Sequence, residues 1–133
     1  MSRKWAQRGF TMIELMIVMS LIVILATMGL VQYRQSIVLS REAVLKEDLF
    51  RLREAIDQYY ADKNKYPSGL EDLVTDGYLR EIPVDPFTNS KDTWQPVNAE
   101  ANVNDTNAQP GISDVKSGAE ETSLEGTRYS EWE

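Results

Sequence analysis

Arg8-Gly9-Phe10-Thr11-Met12-Ile13-Glu14-Leu15-Met16 opens the stretch that decides this chain, and after Glu14 the next charged residue is Arg34. A carboxylate inside such an apolar run costs roughly 2.5–3.5 kcal/mol to place in lipid, so a sequence that keeps one has a partner in store for it. Leu15 to Val31 is interrupted only by the small or mildly polar Ser20, Thr27 and Gly29. With Phe10 to Ile13 added, the run reaches the ~20 residues that cross a bilayer. Upstream, Met1 to Gly9 is a short basic leader carrying Arg3, Lys4 and Arg8. A secretory signal peptide places its cleavage site after the apolar core. The sharp candidate here, Gly9-Phe10, lies before it, so cutting there removes the leader and keeps the helix.

The order of basic leader, Gly9, Phe10, Thr11, Glu14 and a long apolar run resembles the class III signal sequence of prepilins and pseudopilins. The resemblance implies cleavage between Gly9 and Phe10 by a prepilin peptidase and N-methylation of Phe10. It gives Glu14 an assembly role: paired with the cationic amine of a neighbouring subunit, its carboxylate sets the axial register of a filament. Such a pair is desolvated, and removing one partner strands a buried charge. The positive-inside rule keeps the leader in the cytoplasm and places the rest of the chain outside. An uncleaved signal anchor is the alternative for the same segment.

From Gln32 to about Asn64 there is neither Pro nor Gly, and Leu45, Leu49, Leu52, Ile56 and Tyr59 recur at +4, +3, +4, +3. That is one apolar stripe on a helix. Ile37 and Val44 are expected to extend it upstream, with Arg41, Glu42, Lys46, Glu47, Asp48, Arg51, Arg53 and Glu54 on the other faces. Unbroken from Phe10 to about Lys63, such a helix is roughly 80 Å long. No Pro precedes Pro67, so Gly29 is its weak point. A short coiled coil is the competing use of the stripe; packing against the chain's own C-terminal half is the preferred one.

Asn64 to Gly69 reads as a break. Ser68 and Glu71 predict a capping box for a short helix from about Gly69 to Thr75, stopped by Gly77. Pro83 and Pro86 forbid regular structure around them, leaving Tyr78, Leu79, Ile82 and Phe87 as core anchors in an extended loop. Asp85 and Asn89 are read as turn formers through side-chain bonds to backbone. Strands are expected around Thr93–Gln95, Gly111–Lys116 and Thr127–Trp132, the last packing Tyr129 and Trp132 inward, with a loop over Asn98–Gln109. The fold class is therefore α+β: a long N-terminal transmembrane and filament-core helix, then a small globular domain with a short helix and a small antiparallel sheet of three strands. The divisions are a leader over 1–9, an assembly helix over 10–31, its amphipathic continuation over 32–64 and a periplasmic domain over 65–133.

The succession Tyr66-Pro67, Leu70-x-x-Leu73, Tyr78-Leu79 and Ile82-Pro83-Val84-Asp85-Pro86-Phe87 resembles the major pseudopilin of type II secretion systems, from Arg8 to about Phe87. This implies a structural subunit of the inner membrane, assembled into a periplasmic filament that drives export of folded proteins across the outer membrane. Its implied partners are copies of itself, minor pseudopilins, prepilin peptidase, the inner-membrane platform with its assembly ATPase, and secreted cargo. The resemblance also implies calcium in the C-terminal loop. Asp114, Glu120, Glu121 and Glu131 are the candidate ligands, hard oxygens of the kind calcium takes. A solvated acidic loop is the competing reading, and Thr127-Arg128-Tyr129-Ser130-Glu131-Trp132 departs from the family's Asp-rich pattern by carrying an Arg.

Composition narrows the alternatives. Charge is −7 from 14 basic and 21 acidic residues. Removing Arg3, Lys4 and Arg8 takes the basic residues from 14 to 11 against 21 acidic ones, a side-chain charge of −10. Nucleic acid needs a basic face and is not expected as a partner. With no Cys and no His, disulfides, thiol catalysis and imidazole chemistry are excluded. No Gly-rich phosphate loop is present, and the chain is not expected to be an enzyme. Two other functions stand beside the preferred one. The first is a type IV pilin-like subunit for adhesion, motility or DNA uptake. The second, of another class, is a membrane-anchored periplasmic enzyme or binding module with Asp85, Asp92 and Asp114 as its only carboxylate chemistry.

Overall fold

The computed structural model describes residues 9–100 and 110–133. The basic leader, apart from Gly9, and most of the Asn98–Gln109 loop lie outside the described residues. Two compact units meet at Ile37 and Val38. The order of elements is α1 (Met12–Lys63), α2 (Leu70–Thr75), β1 (Gln95–Asn98), β2 (Ile112–Lys116) and a 3-10 turn, η1 (Tyr129–Glu131).

In the first unit, α1 carries the apolar run with every large hydrophobic from Met12 to Val31 exposed. It is long and apolar enough to cross a membrane, and it continues as regular helix through Gly29. A helix apolar on all sides belongs in lipid or among other helices.

In the second unit, the predicted stripe is the core. Leu45, Leu49 and Leu52 pack with Trp94, Val115, Ala119 and Tyr129. Ala55, Ile56 and Tyr59 pack with Leu73 and Ile112. Leu79, Ile82 and Phe87 close over the first group and Tyr78 over the second, partly buried as the loop reading expects. The upstream extension is different: Ile37 and Val44 are exposed. The stripe instead continues onto Glu42, three residues before Leu45, which is buried.

Helix α2 ends as expected. Gly77 takes φ +83°, Tyr78 N–H donates to the Leu73 carbonyl (2.9 Å) and Gly77 N–H to that of Val74 (3.2 Å). These are the paired bonds of a glycine-terminated helix. Its start differs. The cap residue is Gly69, and Asp72 rather than Glu71 reaches back, accepting from Ser68 N–H and Ser68 Oγ. The helix begins one residue later than the Ser68–Glu71 spacing requires, so the third helical position falls on Asp72.

Strands β1 and β2 pair antiparallel, Gln95 opposite Lys116 and Val97 opposite Asp114, with an irregularity before Asn98 meets Ile112. Ser113 is the extra residue. The bulge changes the phase of the strand, so Ile112 and Val115, three apart, are both buried although a regular strand would point them to opposite faces. The sheet has two strands, not three. The segment predicted as the third forms η1, and its strand-like pairing among the described residues is the isolated Thr122–Arg128 bridge. Spacing explains this: Tyr129 and Trp132 both turn toward the core, and residues three apart share a face in a 3-10 turn but not in a strand.

Candidate functional site

The processing segment lies in the first unit. Gly9, Phe10 and Thr11 are non-helical, and Phe10 is 84% exposed. The Gly9-Phe10 bond thus sits in open chain just ahead of a helix. Thr11 decides where that helix starts. Its N–H donates to Glu14 Oε2 (3.2 Å), its Oγ1 accepts from Glu14 N–H (3.3 Å), and its carbonyl accepts from Leu15 N–H (3.1 Å). This is a reciprocal capping box, and the carboxylate also sits favourably at the positive end of the helix. The Thr-x-x-Glu pattern was readable in the sequence as a helix cap, a local task of Glu14 beside the pairing with an α-amine expected of it. One oxygen of Glu14 holds the first turn together. The charge remains at the surface, one helical turn from Phe10.

The second unit holds a different constellation, built on two charged residues of α1 assigned from sequence to outer faces. Glu42 is 6% exposed. Its Oε1 accepts from Tyr129 Oη (2.9 Å) and from the Leu124 amide (2.9 Å). Arg53 donates from Nε to Asp114 Oδ1 (2.7 Å), and from Nη2 to the carbonyls of Trp132 (2.8 Å) and Val115 (3.3 Å). Both side chains fasten the C-terminal segment to the helix. Tyr129 lies stacked on Phe87 with centroids 4.0 Å apart and edge-on to Trp132 at 5.1 Å. Burial raises its phenol well above the ordinary tyrosine range, and the bond to Glu42 with the charges of Glu42 and Glu121 raises it further. The signal for Glu42 was its place on the stripe. Arg53 carried no sequence signal, because its partners lie 61 to 79 residues away.

Asp85 is the turn former expected of it. Fully buried, it accepts from Phe87 N–H (2.9 Å) and Thr88 N–H (3.4 Å), and Ser117 Oγ donates to its other oxygen. Asn89 holds the left-handed turn at φ 52°. Nearby Asp48 is pushed up from the ordinary carboxylate range by desolvation; Arg51 opposes this, while the charges of Asp85 and Glu47 add to it. Trp94 donates from its indole to the Pro83 carbonyl (2.7 Å), pinning the proline loop. Of the three carboxylates considered for chemistry, Asp85 and Asp114 are engaged in these bonds and Asp92 is exposed.

The candidate calcium ligands are not gathered. Asp114 is committed to Arg53 and to the Val115 amide (2.7 Å). Glu120, Glu121 and Glu131 are exposed. Among the described residues, no group of three or more Asp, Glu, His or Cys lies close enough to hold a metal ion.

An exposed apolar helix opened by a capped Thr-x-x-Glu after a Gly-Phe bond, followed by a small α+β domain packed on the helix's continuation, defines a pilin-like membrane-anchored subunit. The family described as "Prokaryotic N-terminal methylation motif" matches residues 6–30. The type II secretion system core protein G of Pseudomonas aeruginosa is 36% identical over 99 residues, covering 62% of this chain and 70% of that protein. The core protein G of Klebsiella michiganensis is 31% identical over 101 residues, covering 64% and 71%. Fimbrial protein EcpC of Eikenella corrodens is 33% identical over 86 residues, covering 61% and 56%. The comparison with solved structures gave no match. The chain belongs to the type II secretion system core protein G family, the major pseudopilins.

Proposed function

We propose that this chain is the structural subunit of a periplasmic pseudopilus, polymerising through its N-terminal helix to drive export of folded proteins across the outer membrane. The observation that carries this reading is the join of the Gly9-Phe10-Thr11…Glu14 opening to a fully exposed apolar helix. Prepilin peptidase cuts between Gly9 and Phe10, Phe10 is methylated, and the subunit waits in the inner membrane with its domain in the periplasm. Assembly uses further copies of the chain, minor pseudopilins, and a membrane platform worked by an ATPase; cargo rides the growing filament. The subunit itself catalyses nothing. Core protein G relatives 31% and 36% identical support this reading.

Two measurements test it. Intact-mass and N-terminal peptide spectrometry on native membranes is expected to find a chain starting at Phe10 with one added methyl group. A retained Met1 leader in a host with active prepilin peptidase points to a signal anchor instead. Glu14→Leu is expected to leave cleavage in place and abolish filaments; normal assembly refutes the register role. The fimbrial relative favours a second reading, a type IV pilin-like subunit. Filaments that reach the cell surface at native expression, with no secretion defect on deletion, select it.

A further inference from the structure

We propose that the Arg53 guanidinium takes, in this chain, the place of the calcium that the family resemblance implies, so that the C-terminal segment is locked by an internal cation and needs no metal. Three oxygens converge on one side chain. Asp114 Oδ1 lies 2.7 Å from Nε, and the Trp132 and Val115 carbonyls lie 2.8 and 3.3 Å from Nη2. One carboxylate and two backbone carbonyls are ligands of the kind a calcium ion collects. Here they receive a planar fork of fixed N–H donors. The charge arrives covalently attached to α1, so one contact ties the helix to β2 and to the residue after η1.

The surroundings do not suit a divalent ion. Arg53, Asp57, Ser113, Asp114, Lys116 and Glu133 line one surface depression. Two cations there face three carboxylates, leaving little net charge to draw a metal. Calcium takes 6–8 oxygens, and among the described residues no three Asp, Glu, His or Cys side chains, these carboxylates included, stand close enough together to hold a metal ion. Arg53 is held in place by its neighbours: its side chain is 25% exposed and that of Asp114 37%, and the backbone amide of Val115 steadies the same Asp114 oxygen at 2.7 Å. The inference rests on the family assignment only for the expectation of calcium and is independent of filament assembly.

The test uses the full chain in detergent micelles. Thermal unfolding is followed by near-UV circular dichroism in excess calcium chloride and in excess EGTA, with calorimetry for calcium binding. The expected result is one melting temperature in both buffers and no binding heat. A lower melting temperature in EGTA, or saturable calcium binding, overturns the proposal. Arg53→Gln is expected to lower the melting temperature by roughly 5–15 °C and to speed amide exchange over residues 112–132. Unchanged exchange there overturns the clip. Arg53→Lys keeps the charge without the fork and is expected to fall between the two; equality with the parent chain refutes the role of the fork. Should Arg53→Gln fail to fold, the lysine variant and the calcium–EGTA comparison decide.

Discussion

Replacing Glu42 with Ala removes an acceptor that two distant donors share. The Tyr129 hydroxyl and the Leu124 amide each reach Glu42 Oε1 at 2.9 Å, and Glu42 and Tyr129 are both buried. A hydrogen bond to a charged group contributes about 1.5–3 kcal/mol, and a buried donor left unpaired costs about 1–3 kcal/mol. Against this stands the desolvation of the carboxylate, which the substitution relieves. The net loss is about 3 kcal/mol, a large share of the about 5–15 kcal/mol that holds a small domain together. For a unit of this size, that corresponds to a fall in melting temperature of roughly 12–24 °C. Tyr129→Phe removes one of the two bonds and keeps the ring stacked on Phe87, so its cost is about 1.5–3 kcal/mol. Because the two side chains share one bond, the double variant is expected to lose about 1 kcal/mol less than the sum of the singles. The assay is equilibrium unfolding of the full chain in micelles, read by near-UV circular dichroism, with amide exchange at Leu124 as the local report. Should Glu42→Ala cost less than about 1 kcal/mol, or leave Leu124 protected, the buried carboxylate is not what holds the C-terminal segment.

Two further expectations follow from neighbouring contacts. A Cβ at Gly118 would clash with the Thr93 carbonyl oxygen, and since backbone cannot step aside cheaply, Gly118→Ala is expected to destabilise the second unit by about 1–3 kcal/mol in urea titration; an unchanged midpoint refutes the close approach. Alkaline pH is expected to loosen the domain: the folded state holds the Tyr129 proton more tightly than the unfolded chain does, chiefly through burial. Its contribution is complete below about pH 10 and is lost as pH rises above that value toward the raised folded one. Tyr78, raised mainly by its bond to Asp62, adds in the same direction, so the check is the slope of melting temperature against pH in Tyr129→Phe, which should be shallower than in the parent chain.

Much of this protein was legible along the chain because the physics involved is local. The apolar run and the Leu45-to-Tyr59 stripe depend on residue type and on helical spacing, and neither needs a distant partner. The Gly77 stop and the Asp85 turn are likewise bonds across two to five residues. What a linear reading assigned wrongly are the residues whose partners come from far away. Glu42 and Arg53 read as solvated helix charges, yet their partners lie 61 to 87 residues on. Thr127 to Trp132 looked like strand by composition, and Tyr129–Glu131 became a 3-10 turn because two aromatic rings had to enter the same core. The sequence by itself determined where the chain is anchored and which face of α1 is buried, since a hydrophobic pattern needs only its own period. Only the tertiary structure decided how the C-terminal segment is fastened, since a charge goes underground only where a partner meets it.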